Sequence, residues 1–371
     1  MAANKGEWSE PYVALMLLGE GKLILADDDG KACRNKWLNV RDLVRYEGNG
    51  RTVYYEYISD ELINISIDGD LVKTIPAERF RFYANKLKSE ILNSSGSTFP
   101  VSNDIKVFLE EVEIKSSKAK SVNKSDIFIS TEDPSTSIVR KNTGYSIKSL
   151  FGKDPTLFNT GVNSAAIYKL TNMNDEIMNE VNSMFDDKGH AAVSERCNTL
   201  LIYGCNFEFL GFPVAARAKC KTFEENLDLI NPRLKEVLDF IMRTHFLTNS
   251  TARGVEEMVE IVINNNPCNI SRGKEKYPYM VKSLLYASYC GLTAGTLWDG
   301  RSQVNGGFIS VDGEGKITAN LALESEGFKS YLYKHCYFEW PATSHNHGNY
   351  AYVYKENGEY YFRLNFQIRY R

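Results

Sequence analysis

The sequence has no long hydrophobic run. Its longest uninterrupted apolar stretch, Tyr12–Leu18, is seven residues, against about 20 for a membrane-spanning helix. Residues 1–6 lack the apolar core of a signal peptide, so the expected location is the cytosol. Paired cysteines are also missing: the seven at 33, 197, 205, 220, 268, 290 and 336 include no C-x-x-C, which fits a reducing compartment and not a structural zinc. Internal repeats and low-complexity tracts are absent, and Gly and Pro number only 26 and 10, which excludes collagen, coiled coil and wholesale disorder. What remains is an ordinary globular composition, 43% hydrophobic and 25% charged over 371 residues, enough for two or three domains or one large core with insertions.

A net charge of −3 argues against a general polyanion binder, but the average hides an asymmetry. Between Lys115 and Lys153 there are eight Lys/Arg (115, 118, 120, 124, 140, 141, 148, 153) and three acids (126, 132, 133), a local excess of five positive charges. A basic zone around a few acids is what a phosphodiester-handling site needs.

Periodicity predicts a mixed α and β chain. A buried helix over Pro11–Leu18 ends near Gly19 and is followed by a strand over Lys22–Ala26 and a turn at Asp27-Asp28-Asp29-Gly30, which lacks the spaced ligands of a calcium loop. A β-hairpin is expected within Arg51–Ile67, and helices over 77–92 and 104–112. Two strands follow, Ser125–Ile129 and Gly144–Ser149. The middle reads as helical over 172–185, 221–245 (broken by Pro232), 254–263 and 279–290. Strands return at 307–311 and 316–323, and Asn357-Gly358 between apolar runs predicts a hairpin.

The chemistry-bearing constellation is Asp126, then Ser146-Ile147-Lys148. Ser146 and Lys148 share one strand face. An Asp on one strand and a (Glu/Asp)-x-Lys on the next suit phosphodiester hydrolysis. The carboxylates hold a hard divalent cation, which neutralises charge on the scissile phosphate, while the lysine orients or deprotonates the attacking water. Ser146 stands where the second carboxylate is expected, so another acid must be supplied. Glu10 at the helix start is the first candidate, with Glu7 on its face. Glu90, Glu110, Glu111 and Glu113 are alternatives, and Glu7 and Glu10 also read as plain helix-start acids favoured by the dipole. His345-Asn346-His347 only imitates the letters of the HNH nucleases. No P-loop, G-x-S-x-G or H-E-x-x-H is present.

Asn4-Lys5-Gly6-Glu7-Trp8-Ser9-Glu10, Gly21-Lys22-Leu23, Lys124-Ser125-Asp126-Ile127, Gly144-Tyr145-Ser146-Ile147-Lys148-Ser149, Gly307–Glu314, Phe328–Leu332 and Leu364–Tyr370, taken in order, resemble the HpaII family of type II restriction endonucleases. The resemblance implies a Mg²⁺-dependent nuclease cutting short sites in double-stranded DNA. Asp126 would be a metal carboxylate, Lys148 the catalytic lysine and Glu10 the first-helix acid. A sequence-specific DNA-binding protein of the same fold that has lost cleavage is the alternative. CCGG, the namesake's target, carries over only through a middle region without matching motifs, so the bases read stay open. A homodimer on a palindromic site and a cognate methyltransferase in the host are the expected partners, and no membrane is expected.

The expected fold is α/β (mixed α+β): a restriction-endonuclease-like core over 1–185 with a mixed sheet flanked by helices, a helical region over 186–300 serving DNA recognition or dimerisation, and a β-rich part over 301–371 completing the core. From Arg363 to Arg371 polar and apolar residues alternate without a break. This predicts one strand with Arg363, Asn365, Gln367, Arg369 and Arg371 on a face directed at DNA. Gln367 and Arg369, together with Lys118, Lys120 and Lys124 of the basic loop, are the candidate DNA-contacting residues.

Overall fold

A computed structural model describes residues 2–371 except 28, 48–49, 97, 118–124, 153, 185–189, 217–218, 249, 303, 323–324 and 342–349. Asp28, Lys118, Lys120, Lys124, Lys153 and His345-Asn346-His347 thus lie outside the described residues. The chain is mixed α/β and divides into two units, each built from two segments: Met1–Pro155 with Ser302–Tyr331, and Thr156–Arg301 with Leu332–Arg371.

The first unit runs β1 (Ala2–Ala3), α1 (Lys5–Glu20), β2 (Lys22–Ala26), β3 (Ala32–Tyr46), β4 (Thr52–Tyr57), β5 (Leu62–Ile67), β6 (Asp70–Pro76), α2 (Ala77–Asn93), β7 (Phe99–Pro100), α3 (Asn103–Glu111), β8 (Ile127–Glu132) and β9 (Val139–Ser149). The second follows with β10 (Thr156–Phe158), β11 (Ala166–Thr171), α4 (Asp175–Asn182), α5 (His190–Ile202), β12 (Asn206–Gly211), α6 (Thr222–Ile230), α7 (Leu234–Thr248), α8 (Val255–Asn265) and α9 (Gly273–Tyr289). β13 (Gly307–Val311) and β14 (Ile317–Leu321) return to the first unit. After α10 (Ser325–His335), the chain ends in the second unit with β15 (Cys336–Glu339), β16 (Tyr354–Glu356), β17 (Glu359–Leu364) and β18 (Gln367–Tyr370).

The nine-stranded sheet of the first unit has the order β2-β14-β13-β9-β8-β3-β4-β5-β6. β2 also pairs with the start of β3, so six strands close into a ring of pairings from which β4, β5 and β6 extend. β9 lies between β13, which is parallel to it, and β8, which is antiparallel. α1 is the hub of the core. Its N-cap Asn4 accepts from the Glu7 amide at 2.9 Å while the Glu7 carboxylate accepts the Asn4 amide at 3.1 Å, a capping box that satisfies two otherwise orphaned donors. Gly21, at φ 65°, ends the helix in the left-handed region. Eleven of its sixteen residues are buried, as expected of a helix covered on more than one side. At Gly19 a Cβ would lie 2.6 Å from the Arg81 backbone of α2, so glycine permits the close crossing of α1 and α2. Trp8, Tyr12, Leu15, Leu18, Phe80, Ile127, Tyr145, Ile309 and Val311 share this core.

Two expectations need correction. The C-terminal part is not one block completing the core. Pairing of β13 with β9 draws residues 307–321 into the first sheet, whereas 332–371 build the second unit's sheets, β10-β18-β15 and β12-β11-β17-β16. Nor is Arg363–Arg371 one strand with a solvent face. It breaks at Asn365, which is 1% exposed; its side chain donates to the Gly161 carbonyl at 2.8 Å and accepts from Ser164 at 3.0 Å. Beyond the break the chain enters a different sheet, where Gln367 is buried and donates to Thr156 at 2.9 Å. Arg369 donates to Glu339 on the neighbouring strand at 2.5 Å. The acid missing from the linear pattern is supplied from 30 residues upstream. Among the described residues no helix is long and apolar enough to cross a membrane.

Candidate active site

The site grows from the place where β8 stops short of its neighbour. The Asp126 amide donates to the Tyr145 carbonyl at 2.8 Å, one last ladder bond before Ile127 opens β8. Two residues further along β9, the Ile147 amide points toward the same side with no β8 residue to meet it. The Asp126 carboxylate takes its place: Oδ2 accepts the Ile147 amide at 2.7 Å and the Ser146 hydroxyl at 3.1 Å. Backbone geometry therefore fixes the carboxylate, since an unpaired amide in a sheet interior would cost about 1 to 3 kcal/mol. Among the described residues Oδ1 accepts no hydrogen bond.

Two glycines make this approach close. A Cβ on Gly144 would sit 2.2 Å from Ser125 Oγ and 2.9 Å from Ser125 Cβ, and one on Gly306 would sit 2.5 Å from the Tyr145 ring. Asn305 accepts the Gly144 amide at 2.8 Å, and the Gly306 amide donates to the Gly144 carbonyl at 2.8 Å. Asn305 and Gly306 carry no signal of this role in the sequence because their contacts with Gly144 span some 160 residues, and Gly144 itself reads only as the start of a strand. The only local feature is two glycines, each placed just before an apolar run.

Lys148 lies two residues beyond Ser146 on the same strand face, opposite Ser310 of β13, and is half-buried. Tyr145 and Ile147 turn to the other face and into the core. Glu10 is 8% exposed on α1. The first half of α1 lies at the C-terminal end of β9. A Cβ on Gly152 would be 3.6 Å from Lys5, the Tyr12 and Phe151 rings are 5.6 Å apart, and Tyr12 donates its hydroxyl to the Gly315 carbonyl. Burial pushes the Tyr12 phenol up, which keeps it a donor. Asp126, Ser146, Lys148 and the start of α1 thus belong to one end of one sheet.

Four of the five alternative acids are engaged elsewhere. Glu7 serves the helix cap, and Glu90 accepts the Ser102 amide at 2.8 Å. Glu111 meets Arg79 through two bonds of 2.8 and 2.7 Å, which hold its carboxyl below the usual range. At Glu113 burial pushes upward, but Lys115 and Arg51, both 2.9 Å away, outweigh it and lower the carboxyl. Glu110 lines a cavity of about 430 Å³ with Trp8, Lys106, Leu109, Ile114 and Lys115. Among the described residues no three His, Cys, Asp or Glu side chains gather as a metal-holding group.

The family model described as HpaII restriction endonuclease matches residues 4–370. The type II restriction enzyme HpaII of Haemophilus parainfluenzae is 28% identical over 374 aligned residues, which cover 100% of this chain and 98% of that protein. No solved structure matches. The chain belongs to the HpaII restriction endonuclease family.

Proposed function

We propose that the chain is a type II restriction endonuclease that hydrolyses phosphodiester bonds in double-stranded DNA at a short specific site, with Mg²⁺ as cofactor. The products carry 5′-phosphates and 3′-hydroxyls. The observation that supports this reading best is the Asp126 carboxylate, held on one oxygen by two donors of β9 with the other oxygen turned from them, at the strand end that carries Lys148. The donor set suits the cation. Mg²⁺ prefers hard oxygen ligands and is ordinarily held by one or two carboxylates plus water and substrate phosphate, so Asp126 with Glu10 suffices without a full protein cage.

When bound, Mg²⁺ supplies positive charge against the scissile phosphate and acidifies its water. The chain's own groups do the rest. Asp126 presents a carboxylate oxygen in a fixed direction, because Ile147 and Ser146 restrain its partner oxygen. Lys148 orients the attacking water and balances negative charge that grows at phosphorus in the in-line transition state. Its backbone is fixed on a central strand by pairing with Ser310 of β13. On a palindromic target, CCGG being the first to test, a two-fold pair of chains would cut both strands, and a methyltransferase would protect the host.

Incubation with unmethylated plasmid DNA and Mg²⁺ tests the proposal. Discrete fragments that vanish with EDTA are expected, and DNA left intact across a broad set of plasmids overturns it. A second reading, a DNA-binding protein without cleavage, is favoured by Ser146 occupying the expected acid position. Site-specific binding with intact DNA would select it.

A further inference from the structure

We infer that Ser146 is a positioning residue for Asp126 and that its hydroxyl does not contact the metal ion. The inference rests on the proposed nuclease function. In the strand pattern Asp…(Glu/Asp)-x-Lys the position of Ser146 is the one from which a second carboxylate reaches the cation. Here that side chain is 6% exposed, and its hydroxyl is committed as a donor to Asp126 Oδ2 at 3.1 Å. That same oxygen receives the Ile147 amide at 2.7 Å. An oxygen carrying two hydrogen bonds is a poor place for a hard cation, which competes for the same lone pairs. The cation is therefore directed to Oδ1.

The serine and the adjacent amide form a two-point clamp from consecutive residues, one from the side chain and one from the backbone. A carboxylate gripped at one oxygen cannot rotate about its Cβ–Cγ bond without losing both. A glutamate at 146 would place a second negative charge against Oδ2 and abolish the clamp. The chain has exchanged a ligand for orientation, and the charge a second acid would bring must come from outside β9, as Glu10 on α1 does in the proposed function.

The test uses the full chain with Ser146→Ala, Ser146→Thr and Ser146→Cys. Losing one hydrogen bond to a charged group should lower kcat about 10- to 100-fold in Ser146→Ala with little change in KM for DNA, and the hydroxyl of Ser146→Thr should restore most of the rate. The second readout is independent of turnover. Thiolate is a soft ligand that takes Cd²⁺ avidly, so Cd²⁺ is titrated into Ser146→Cys and the ultraviolet thiolate-to-cadmium band is recorded against the unsubstituted protein, whose seven cysteines give the baseline. No added band is expected. A band growing to one equivalent would make position 146 a metal contact and overturn the inference, as would undiminished kcat in Ser146→Ala. Either result leaves the nuclease reading standing. Failure of the unsubstituted protein to cut any DNA removes that reading, and the inference with it.

Discussion

Gly144→Ala isolates the packing that places Asp126. The added Cβ would lie 2.2 Å from Ser125 Oγ, 2.9 Å from Ser125 Cβ and 3.1 Å from the Phe128 ring. Rotating the serine hydroxyl away relieves the first contact but not the second. Ser125 is 1% exposed and cannot swing into solvent. The backbone at 125 must move by several tenths of an ångström, and Asp126 is the next residue. Overpacking of this kind costs about 1 to 3 kcal/mol, which for a unit of this size lowers Tm by about 2 to 12 °C. The catalytic effect should be larger. A misplacement of about 1 Å costs on the order of 100-fold in rate, and Asp126 is bound to β9 by contacts of 2.7 and 3.1 Å that tolerate little displacement. Cleavage followed under single-turnover conditions should fall about 10- to 100-fold, while DNA binding measured with Ca²⁺ changes little. The double variant Ser125→Gly/Gly144→Ala removes the two Ser125 atoms, leaving only the 3.1 Å contact with the Phe128 ring, and should recover most of the rate relative to Ser125→Gly alone. Full cleavage by Gly144→Ala, or no recovery in the double variant, would refute the link from glycine to carboxylate.

Lys148→Ala should abolish detectable cleavage with Tm and Ca²⁺-supported binding close to the parent, because its proposed role is on transition-state charge; a weak DNA affinity would reassign it to binding. Asp126→Ala should also abolish cleavage but lower Tm, because the Ile147 amide and the Ser146 hydroxyl lose their acceptor; an unchanged Tm would show that the carboxylate does not hold that strand end. Glu10→Gln should lower cleavage strongly and raise the Mg²⁺ concentration for half-maximal rate, and parent-like kinetics would remove Glu10 from the site. Arg79→Ala should destabilise the chain at neutral pH and converge with the parent on acidification. The Glu111 carboxyl is held low by Arg79, so its contribution is present above the unfolded pKa of about 4.3 and is lost as pH falls through the lower folded value; a Tm difference independent of pH contradicts this. Gln367→Ala with Arg369→Ala should lower stability through Thr156 and Glu339, and an unchanged Tm with a reduced salt dependence of DNA binding would return these residues to the DNA contacts predicted from sequence.

Where the sequence was legible, the signal was local. β2 and β13 match their predicted ranges residue for residue, and Asn357 and Gly358, at φ 50° and 80°, form the hairpin turn their types predict. Helices α2 and α3 begin and end within a residue or two of the periodic windows. The sequence set Asp126 and Ser146 on two neighbouring strands, but the hydrogen bond between them, 20 residues apart, emerges only in the structure. The C-terminal run failed for a physical reason. Strict alternation says which residues share a face but not whether that face meets water, and a buried polar face is as stable as an exposed one when every group finds a partner. Asn365, Gln367 and Arg369 all do. Those partners lie 30 to about 210 residues away, beyond any window in which pattern carries information. The same distance hid Asn305 and Gly306. β9 takes one neighbour from the residues just before it and the other from more than 150 residues later, so half of the candidate site is written locally and half only in the tertiary pairing. A substitution in β13 should therefore perturb catalysis as readily as one in β8. β13 pairs with β9 at Lys148 itself, through Ser310, whereas β8 ends opposite Tyr145 and reaches further only through the Asp126 carboxylate; on the proposed mechanism a shift of either neighbour changes how Lys148 and Asp126 face the phosphate.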